Sequence, residues 1–320
     1  MGSLQTRMYL LVAAMFAIIY AVIVMIGTAS GIYDFNFYLI ISLGMMLFQF
    51  MIGPNIVEWT MGVQYTTKEE SPELFAMVED LARRANMPMP RICISPSQVP
   101  NAFAFGRGQR DGRVCVCQGI LNVLNEEELK AVLGHELTHI KNRDVVTITL
   151  LSVVPMIMYR LAWHLIWYGG GRRDRSSNTA LIGIAALLFY FVSNLLVLYG
   201  SRIREYYADE GSVKLGNKPA ALASALYKLV YGSARMADSE EMKQVQGMKA
   251  FFLNDPSQAI NEIRELKDLD VNKDGTIDSN ELFRLRNKQV GLQTGEKLME
   301  FLSTHPNMLK RIKRLSELSV

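Results

Sequence analysis

The chain has 320 residues, of which 50% are hydrophobic, and a formal net charge of +3. Its mean hydropathy is positive, at +0.12, which for a chain of this size indicates membrane segments and argues against a purely soluble protein. The nearly balanced charge gives no indication of nucleic-acid binding. The length predicts two domains.

Two apolar segments near the N-terminus are close to the length that crosses the hydrocarbon core of a bilayer. Residues 8–26 carry no charge, and residues 37–52 contain Gln49 as their only strongly polar side chain. A cleaved signal peptide is the alternative for the first segment. That apolar run is too long for one, however, and no small-residue cleavage site leads from it into a soluble domain. We therefore expect a transmembrane hairpin over residues 1–55.

The distribution of charge predicts which side of the membrane the rest of the chain occupies. Arg7 precedes the first apolar segment, and Asp34 is the only charged residue in the link at residues 28–36. The large charged region follows the second segment. By the positive-inside tendency, the N-terminus and the charged domain are expected in the cytoplasm.

Two later apolar segments are weaker candidates for membrane crossings. Residues 145–168 contain Arg160 and His164, which are costly within a bilayer, whereas residues 180–199 carry no charge. The stretch between them contains three arginines, which would have to face outward if both segments cross. Length favours a second transmembrane hairpin over residues 145–200, and a hairpin embedded in the cytoplasmic leaflet is the alternative.

Residues 56–144 carry the patterns of a small domain with both helices and strands. Ser71 and Pro72 open one helical pattern, and Asn125, followed by three glutamates, is a favourable N-cap for another. This second helix shows no breaker, so it is expected to continue into the next apolar segment. Short, mostly apolar segments bounded by Pro, Gly and Asp predict the strands of a small sheet, at 91–94, 102–105 and 113–117.

The three cysteines, Cys93, Cys115 and Cys117, are odd in number and do not form a disulfide framework. Cys115 and Cys117 alternate along a predicted strand, so both side chains would face the same side of it. Because free cysteine behaves as a small core residue, a buried strand face is the favoured interpretation. A metal-binding or redox pair is the alternative.

The segment at residues 134–144, GHELTHIKNRD, carries two of the chain's four histidines. On a helix, His135 and His139 lie four residues apart on one face, so both imidazoles can be directed at one ion. Glu136 would reach a water molecule at that ion, which is the H-E-x-x-H arrangement of zinc peptidases with the glutamate as general base. A solvated polar helix face is the alternative, because a five-residue pattern alone is only moderately specific.

A catalytic zinc needs a third protein ligand, and a second acidic pair supplies a candidate. Directly after the fourth apolar segment comes SRIREYYAD, in which Glu205 and Asp209 are again four residues apart. Glu205 can complete the ligand set, and Asp209 can accept a hydrogen bond from the distal nitrogen of a ligating histidine. Surface pairing of these acids with Arg202 and Arg204 is the alternative.

Together these motifs resemble the HtpX family of membrane-bound zinc metalloproteases, a relative of the CAAX prenyl proteases. The resemblance implies an α+β fold: a mainly helical integral membrane protein with a zincin-like metalloprotease domain that carries a small β-sheet. That domain would be formed by residues 56–144 and 201–320. Four motifs in the same order carry the resemblance: GHELTHIKNRD, SRIREYYAD, NAFAFG from Asn101, and STHP from Ser303 leading to Arg311.

The resemblance also implies a function. It implies a zinc-dependent endopeptidase at the cytoplasmic face of the inner membrane, which cleaves misfolded or damaged membrane proteins. Asn101 and the strand after it would lie beside the bound peptide, while His305 and Arg311 would approach the site to bind substrate or stabilise the oxyanion. For His305, a role as a helix-entry residue before Pro306 is the alternative.

Two other functions are alternatives to peptide hydrolysis by an HtpX-like protease. A CAAX-type prenyl protease has more membrane spans than the two to four found here. A non-catalytic membrane scaffold would combine a structural zinc with a calcium-binding loop, but a structural zinc site has no need of a base such as Glu136 beside the metal. Peptide hydrolysis is therefore favoured.

A second ion-binding pattern, DVNKDGTIDSNE at residues 270–281, is not accounted for by the resemblance. It matches an EF-hand loop, with Gly275 at the sharp turn and helical patterns on both sides, and predicts a helix–loop–helix insert near residues 262–290. A polar turn between two helices is the alternative. EF-hands usually pair, so an unpaired one is expected to bind weakly. The expected calcium ligands are Asp270, Asn272, Asp274, Thr276 through its carbonyl, Asp278 and Glu281.

Overall fold

A computed structural model describes residues 35–144, 147, 177–236, 262–263, 266–287, 303 and 305–319. The expected first membrane span and all but one residue of the third lie outside these ranges, as does most of the arginine-containing connection. The chain divides into two compact units. One comprises Met1–Ile52 and Val146–Gly200, and the other comprises Gly53–Val145 and Ser201–Val320.

Helices predominate in the described residues, and the strands are short. The helices are α1 (Phe35–Thr60), α2 (Pro72–Ala85), α3 (Gln118–Leu121), α4 (Glu126–Lys141), α5 (Ser177–Lys214), α6 (Pro219–Arg235), α7 (Ser279–Arg286) and α8 (Met308–Leu318), with a 3-10 turn at Gln109–Asp111. The strands are β1 (Gln64–Tyr65), β2 (Arg91–Ser95), β3 (Ala102–Phe105) and β4 (Arg113–Cys117).

Helices α1 and α5 contain the second and fourth apolar segments of the sequence. Among the described residues, one stretch, Ile182–Lys214, is long and apolar enough to cross a membrane, with a mean hydropathy of 2.1 in its apolar window. Only 17% of that window is buried. In α1, Phe48 and Trp59 are also among the exposed large apolar side chains.

The four strands form one mixed sheet in the order β1-β2-β4-β3. Strands β2 and β4 are parallel, while β1 and β3 pair antiparallel to their neighbours. The sequence predicted three of these strands and missed β1, whose two residues are too few to form a pattern. Strand β3 stands at one end of the sheet, so one of its hydrogen-bonding edges is unpaired within that sheet.

The alternation of side chains in β4 gives the sheet two buried faces. Val114 and Val116 join the main core, whereas Cys115 and Cys117 join a smaller cluster with Val57 of α1 and with Met61, which follows that helix. All three cysteines are free and buried. The interpretation of the cysteines as a buried strand face is confirmed.

Helix α4 begins as the sequence predicts and ends earlier than expected. The Asn125 side chain accepts from the Glu128 N–H and the Glu128 carboxylate accepts from the Asn125 N–H, which forms a capping box. At the other end the helix stops at Lys141, and Arg143 has a φ of 58°. The expectation that α4 runs unbroken into the next apolar segment is therefore wrong, because left-handed backbone cannot continue a right-handed helix.

The EF-hand-like segment packs into the main hydrophobic core. Gly275 has a φ of 82°, the left-handed backbone expected at the sharp turn, and α7 follows the loop with Asp278 as its N-cap. The Tyr227 hydroxyl of α6 donates to Asp270, the first residue of the loop. The segment's apolar side chains belong to the same core as α4, α6 and α8: Leu266, Leu269, Ile277, Leu282 and Leu285.

Candidate active site

Two histidines from α4 and one glutamate from α5 bring three metal-ligand atoms together. The Nε2 atoms of His135 and His139 are 3.1 Å apart. The carboxylate oxygens of Glu205 lie 3.5 Å from the His135 Nε2 and 3.6 Å from the His139 Nε2. Within the part of the chain that the structure describes, this is the only group of three such residues close enough to hold one ion.

The spacing of these atoms fits a zinc ion. With zinc–ligand bonds of about 2.0–2.1 Å, a tetrahedral ion separates neighbouring ligand atoms by about 3.3 Å. The three distances fall on both sides of that value: 3.1 Å between the two Nε2 atoms, 3.5 Å from the His135 Nε2 to the Glu205 Oε2, and 3.6 Å from the His139 Nε2 to the Glu205 Oε1. Two neutral imidazoles and one carboxylate leave a fourth tetrahedral position for water or substrate, as catalytic zinc sites require.

The residues around His135 form a buried chain of charge-assisted hydrogen bonds. Asp209 lies 2.9 Å from the His135 Nδ1, which leaves Nε2 for the ion. Arg311 donates to both oxygens of Asp209, at 2.9 and 2.7 Å. Glu205 and Asp209 are only 4% and 2% exposed, so the alternative of surface pairing with nearby arginines is excluded.

The electrostatics of the site favour a positive charge at its centre. Burial alone would lower the pKa of His135, but its hydrogen bonds to Asp209 and Glu205 raise that pKa to about 9. The same two carboxylates would favour a divalent cation in the place of the proton.

Glu136 faces the site from the helix that carries both histidines. It is buried, and burial raises the pKa of its carboxyl group, against the opposing effect of the two histidines. The backbone N–H of Ala104 in β3 donates to this carboxylate. The general base expected from the sequence therefore lies between the zinc ligands and the edge of the sheet.

Comparisons with known proteins agree with this geometry. The model of Peptidase family M48 matches residues 67–319. A protease HtpX homolog of Moorella thermoacetica is 35% identical over 326 residues, which cover 99% of this chain and 95% of that protein. A protease HtpX homolog of Methanothermobacter thermautotrophicus is 50% identical over 228 residues, 71% of this chain and 86% of the relative.

The chain belongs to the HtpX group of peptidase family M48. It is a metalloprotease. Among solved structures, the fold is similar to that in the crystal structure of S. mikatae Ste24p, with a TM-score of 0.50 and 15% identity. That likeness covers 98% of this chain and 67% of the other, and at this identity it concerns the fold alone.

The structure also places the other residues that the HtpX resemblance singled out. His305 is buried, with its Nδ1 3.6 Å from Glu205. Asn101 is fully buried directly before β3, and its carbonyl oxygen accepts from the Cys117 N–H. Arg311 is fully buried against Asp209 and Glu205, so it lies behind the metal ligands and not on an accessible surface.

Three residues of the site escaped the sequence analysis. Asp144 lies 2.6 Å from the Nδ1 of His139. Gly134 and Gly211 lie where α4 and α5 approach each other: a Cβ on Gly134 would stand 2.3 Å from the Asn217 Nδ2, and one on Gly211 would stand 2.3 Å from the Thr138 Cγ2. These glycines allow Glu205 to reach the histidines. Gly134 begins the GHELTHIKNRD motif, but neither glycine has a role that spacing predicts.

The role of Gly211 is testable with Gly211→Ala. Alanine in a helix gains about 1 kcal/mol over glycine, but overpacking this contact costs about 1–3 kcal/mol, so we expect a net loss of stability. Separating the helices should also weaken zinc binding through Glu205. Thermal unfolding and chelator competition measure the two effects.

The matched control is Gly53→Ala in α1, where a Cβ would meet nothing within 4 Å. This variant should melt at the same temperature or higher. If Gly211→Ala were as stable as Gly53→Ala and bound zinc as tightly as the unmodified protein, the close approach would not matter.

Proposed function

We propose that the protein is a zinc-dependent endopeptidase at the cytoplasmic face of the membrane, which hydrolyses misfolded or damaged membrane proteins. One observation carries the zinc chemistry. Two imidazole Nε2 atoms and the Glu205 carboxylate converge at zinc spacing, with the buried carboxylate of Glu136 one residue from a ligand. The substrate class follows from the resemblance to HtpX proteases.

The residues of the chain divide the chemistry between them. When bound at His135, His139 and Glu205, zinc supplies Lewis acidity that polarises the scissile carbonyl and acidifies a water molecule. Glu136 accepts the proton from that water at its carboxylate and delivers it to the leaving amine nitrogen. Its raised pKa suits both steps, because a group that accepts and then donates a proton works best near the operating pH.

The open edge of β3 is suited to hold the substrate backbone. The carbonyl of Asn101 points towards β4, where it accepts from the Cys117 N–H. Because hydrogen-bonding groups point to alternate sides along a strand, those of Ala102 and Ala104 point away from β4. The Ala104 N–H indeed reaches Glu136. An extended peptide paired along this edge would pass the base, as in other cases of strand addition. The buried side chain of Asn101 would support this strand.

His305 and Arg311 act at different distances from the substrate in this proposal. His305, next to Glu205, is the nearer candidate to stabilise the oxyanion. Arg311 has no exposed surface and holds Asp209 through two hydrogen bonds, so it positions His135 through Asp209.

Cleavage of unfolded casein by the detergent-solubilised full-length protein tests the enzyme function. Glu136→Gln should retain zinc, because Glu136 is not a ligand, but should lose nearly all cleavage. The matched variant His139→Ala should lose both zinc and cleavage, since it removes a ligand. Elemental analysis measures the zinc. Full casein cleavage by Glu136→Gln would rule out this residue as the base.

The zinc geometry also constrains the path of the chain through the membrane. His139 and Glu205 share one site, so the residues between them must return to the side from which they left. Two membrane crossings between these residues meet this requirement. The length and the exposure of the apolar part of α5 support the second crossing. We therefore propose a multi-pass protein of the cytoplasmic membrane with its active site facing the cytoplasm.

Single cysteines at Ser176 or Ser177, between the two proposed crossings, test this topology. The three native cysteines are buried, so the unmodified protein serves as the unlabelled control. An impermeant maleimide should label the new thiol in intact cells. Labelling only after the cells are opened would contradict a transmembrane hairpin and favour one embedded at the cytoplasmic face.

We also propose that the loop at residues 270–281 binds calcium, on the strength of its ligand spacing and its turn. In the structure its carboxylates accept from backbone amides instead. Glu281 accepts from the Val271 N–H at 2.7 Å, and Asp274 accepts from the Thr276 N–H at 2.8 Å. Calcium would compete with these N–H groups for the same carboxylate oxygens, which is consistent with weak binding.

Calorimetric titration of calcium into the zinc-loaded protein tests this loop. We expect binding near millimolar calcium or tighter, which Asp274→Ala should sharply weaken. Asp274 is exposed, so its removal spares the core, and the exposed Asp268 just before the loop provides the control Asp268→Ala. No calcium heat from the unmodified protein would favour a plain polar turn.

A further inference from the structure

The zinc-binding helix is followed directly by a left-handed turn. Helix α4 ends at Lys141, whose carbonyl oxygen accepts from the Gln109 side chain at 2.7 Å. Asn142 and Arg143 are exposed, and Arg143 adopts left-handed backbone with a φ of 58°. The next residue, Asp144, is buried. The turn therefore places one acidic side chain against the helix that precedes it.

Asp144 meets the metal ligand that Asp209 does not contact. Its Oδ2 lies 2.6 Å from the Nδ1 of His139, while the Nε2 of His139 faces His135 and Glu205. Asp209 makes the equivalent contact with the Nδ1 of His135, at 2.9 Å. Each imidazole thus has a buried carboxylate behind it and its Nε2 directed to the same point.

This contact depends on the end of the helix. In a continuous helix, residues five apart are separated by about 140° around the axis, so Asp144 would face away from His139. Only the left-handed residue between them brings the carboxylate to the ring. A backbone conformation of this kind persists where the surrounding structure fixes it.

We propose that Asp144 is the positioning residue of the zinc ligand His139, as Asp209 is for His135. The proposal rests on the zinc site assigned above. Asp144 accepts the Nδ1 proton of His139, which fixes the tautomer that presents Nε2 to zinc and holds the plane of the ring. The negative charge of the carboxylate also strengthens the bond that Nε2 makes to the metal.

The first of the two stretches that form the unit with the site ends at Val145, so Asp144 lies where the chain first leaves that unit. The orientation of one zinc ligand is therefore set by the turn that follows its own helix.

Zinc affinity measured on the full-length protein by chelator competition tests the proposal. Asp144→Ala should weaken zinc binding about 10- to 100-fold, and Asp144→Asn, which keeps the shape but not the charge, should weaken it less. The matched control is Glu127→Gln, an acid on α4 whose side chain is 66% exposed in a surface ion pair. The control should bind zinc as the unmodified protein does.

Two further measurements separate positioning from a purely structural role. The visible absorption of the cobalt-substituted protein reports ligand geometry and should change in Asp144→Ala but not in Glu127→Gln. At saturating zinc, Asp144→Ala should lower kcat for casein-peptide hydrolysis more than it changes KM, because the imidazole of His139 is misoriented.

Unchanged zinc affinity in Asp144→Ala would overturn the proposal, as would a lower melting temperature with unchanged affinity and cobalt spectrum. Should Asp144→Ala fail to fold, Asp144→Asn decides, since unchanged affinity in that variant is also incompatible with the role. Zinc binding is measured without substrate. If the unmodified protein failed to cleave casein, the effect of Asp144 on zinc affinity would still stand. If Asp144 had no effect on zinc affinity, the peptidase activity would be unaffected.

Discussion

The active site depends on how closely two helices approach each other. Helix α4 supplies two nitrogen ligands and α5 supplies a carboxylate, and their atoms stand 3.5 and 3.6 Å apart across the interface. Ordinary side chains at Gly134 and Gly211 would collide with the opposite helix. The interface is also bonded: the Ser212 hydroxyl of α5 donates to the Ala131 carbonyl of α4 at 2.6 Å. The metal geometry is therefore a property of helix packing.

The same interface buries an unusual amount of charge. Glu205, Asp209 and Arg311 are almost entirely excluded from water, and the energetic cost of burying each charge is offset only by good pairing. Arg311 donates two hydrogen bonds to Asp209. The negative charge that it does not neutralise, chiefly that of Glu205, faces the histidines. In the absence of a metal those carboxylates raise the pKa of His135 to about 9, so a proton balances part of their charge. The excess negative charge is what prepares the site for a divalent cation.

Much of this site could be predicted from the sequence, because part of it is encoded at short range. The four-residue spacings of His135 with His139 and of Glu205 with Asp209 each define one helix face, and Asn125 marks the start of the first helix. Periodicity and capping are local properties, so they can be read without knowing the fold. The strand segments between the helices were predicted on the same basis.

The parts that were missed depend on contacts between distant segments or on a break in local structure. Asp144 has no useful spacing from His139 until Arg143 ends the helix. Arg311 is separated from Asp209 by 102 residues, so resemblance could bring it near the site but could not show that it binds a carboxylate behind the ligands. The loop pattern predicts the EF-hand-like segment as an insert, yet its apolar side chains lie in the main core, since a loop pattern says nothing about what the flanking helices pack against.

The completed site requires four separate parts of the chain, and this has a consequence for metal binding. Helix α4 carries the histidines, and the left-handed turn after it places Asp144. Helix α5 carries Glu205 and Asp209, and α8 carries Arg311. None of these parts fixes both imidazoles alone, because each ring is held by a carboxylate from a different segment. In the proposed zinc site, the metal would meet its full ligand geometry only after α5 and α8 have docked, so its binding energy would add to the stability of that docked state. The metal would then be both the reagent of this protease and one of the contacts that keep its helices together.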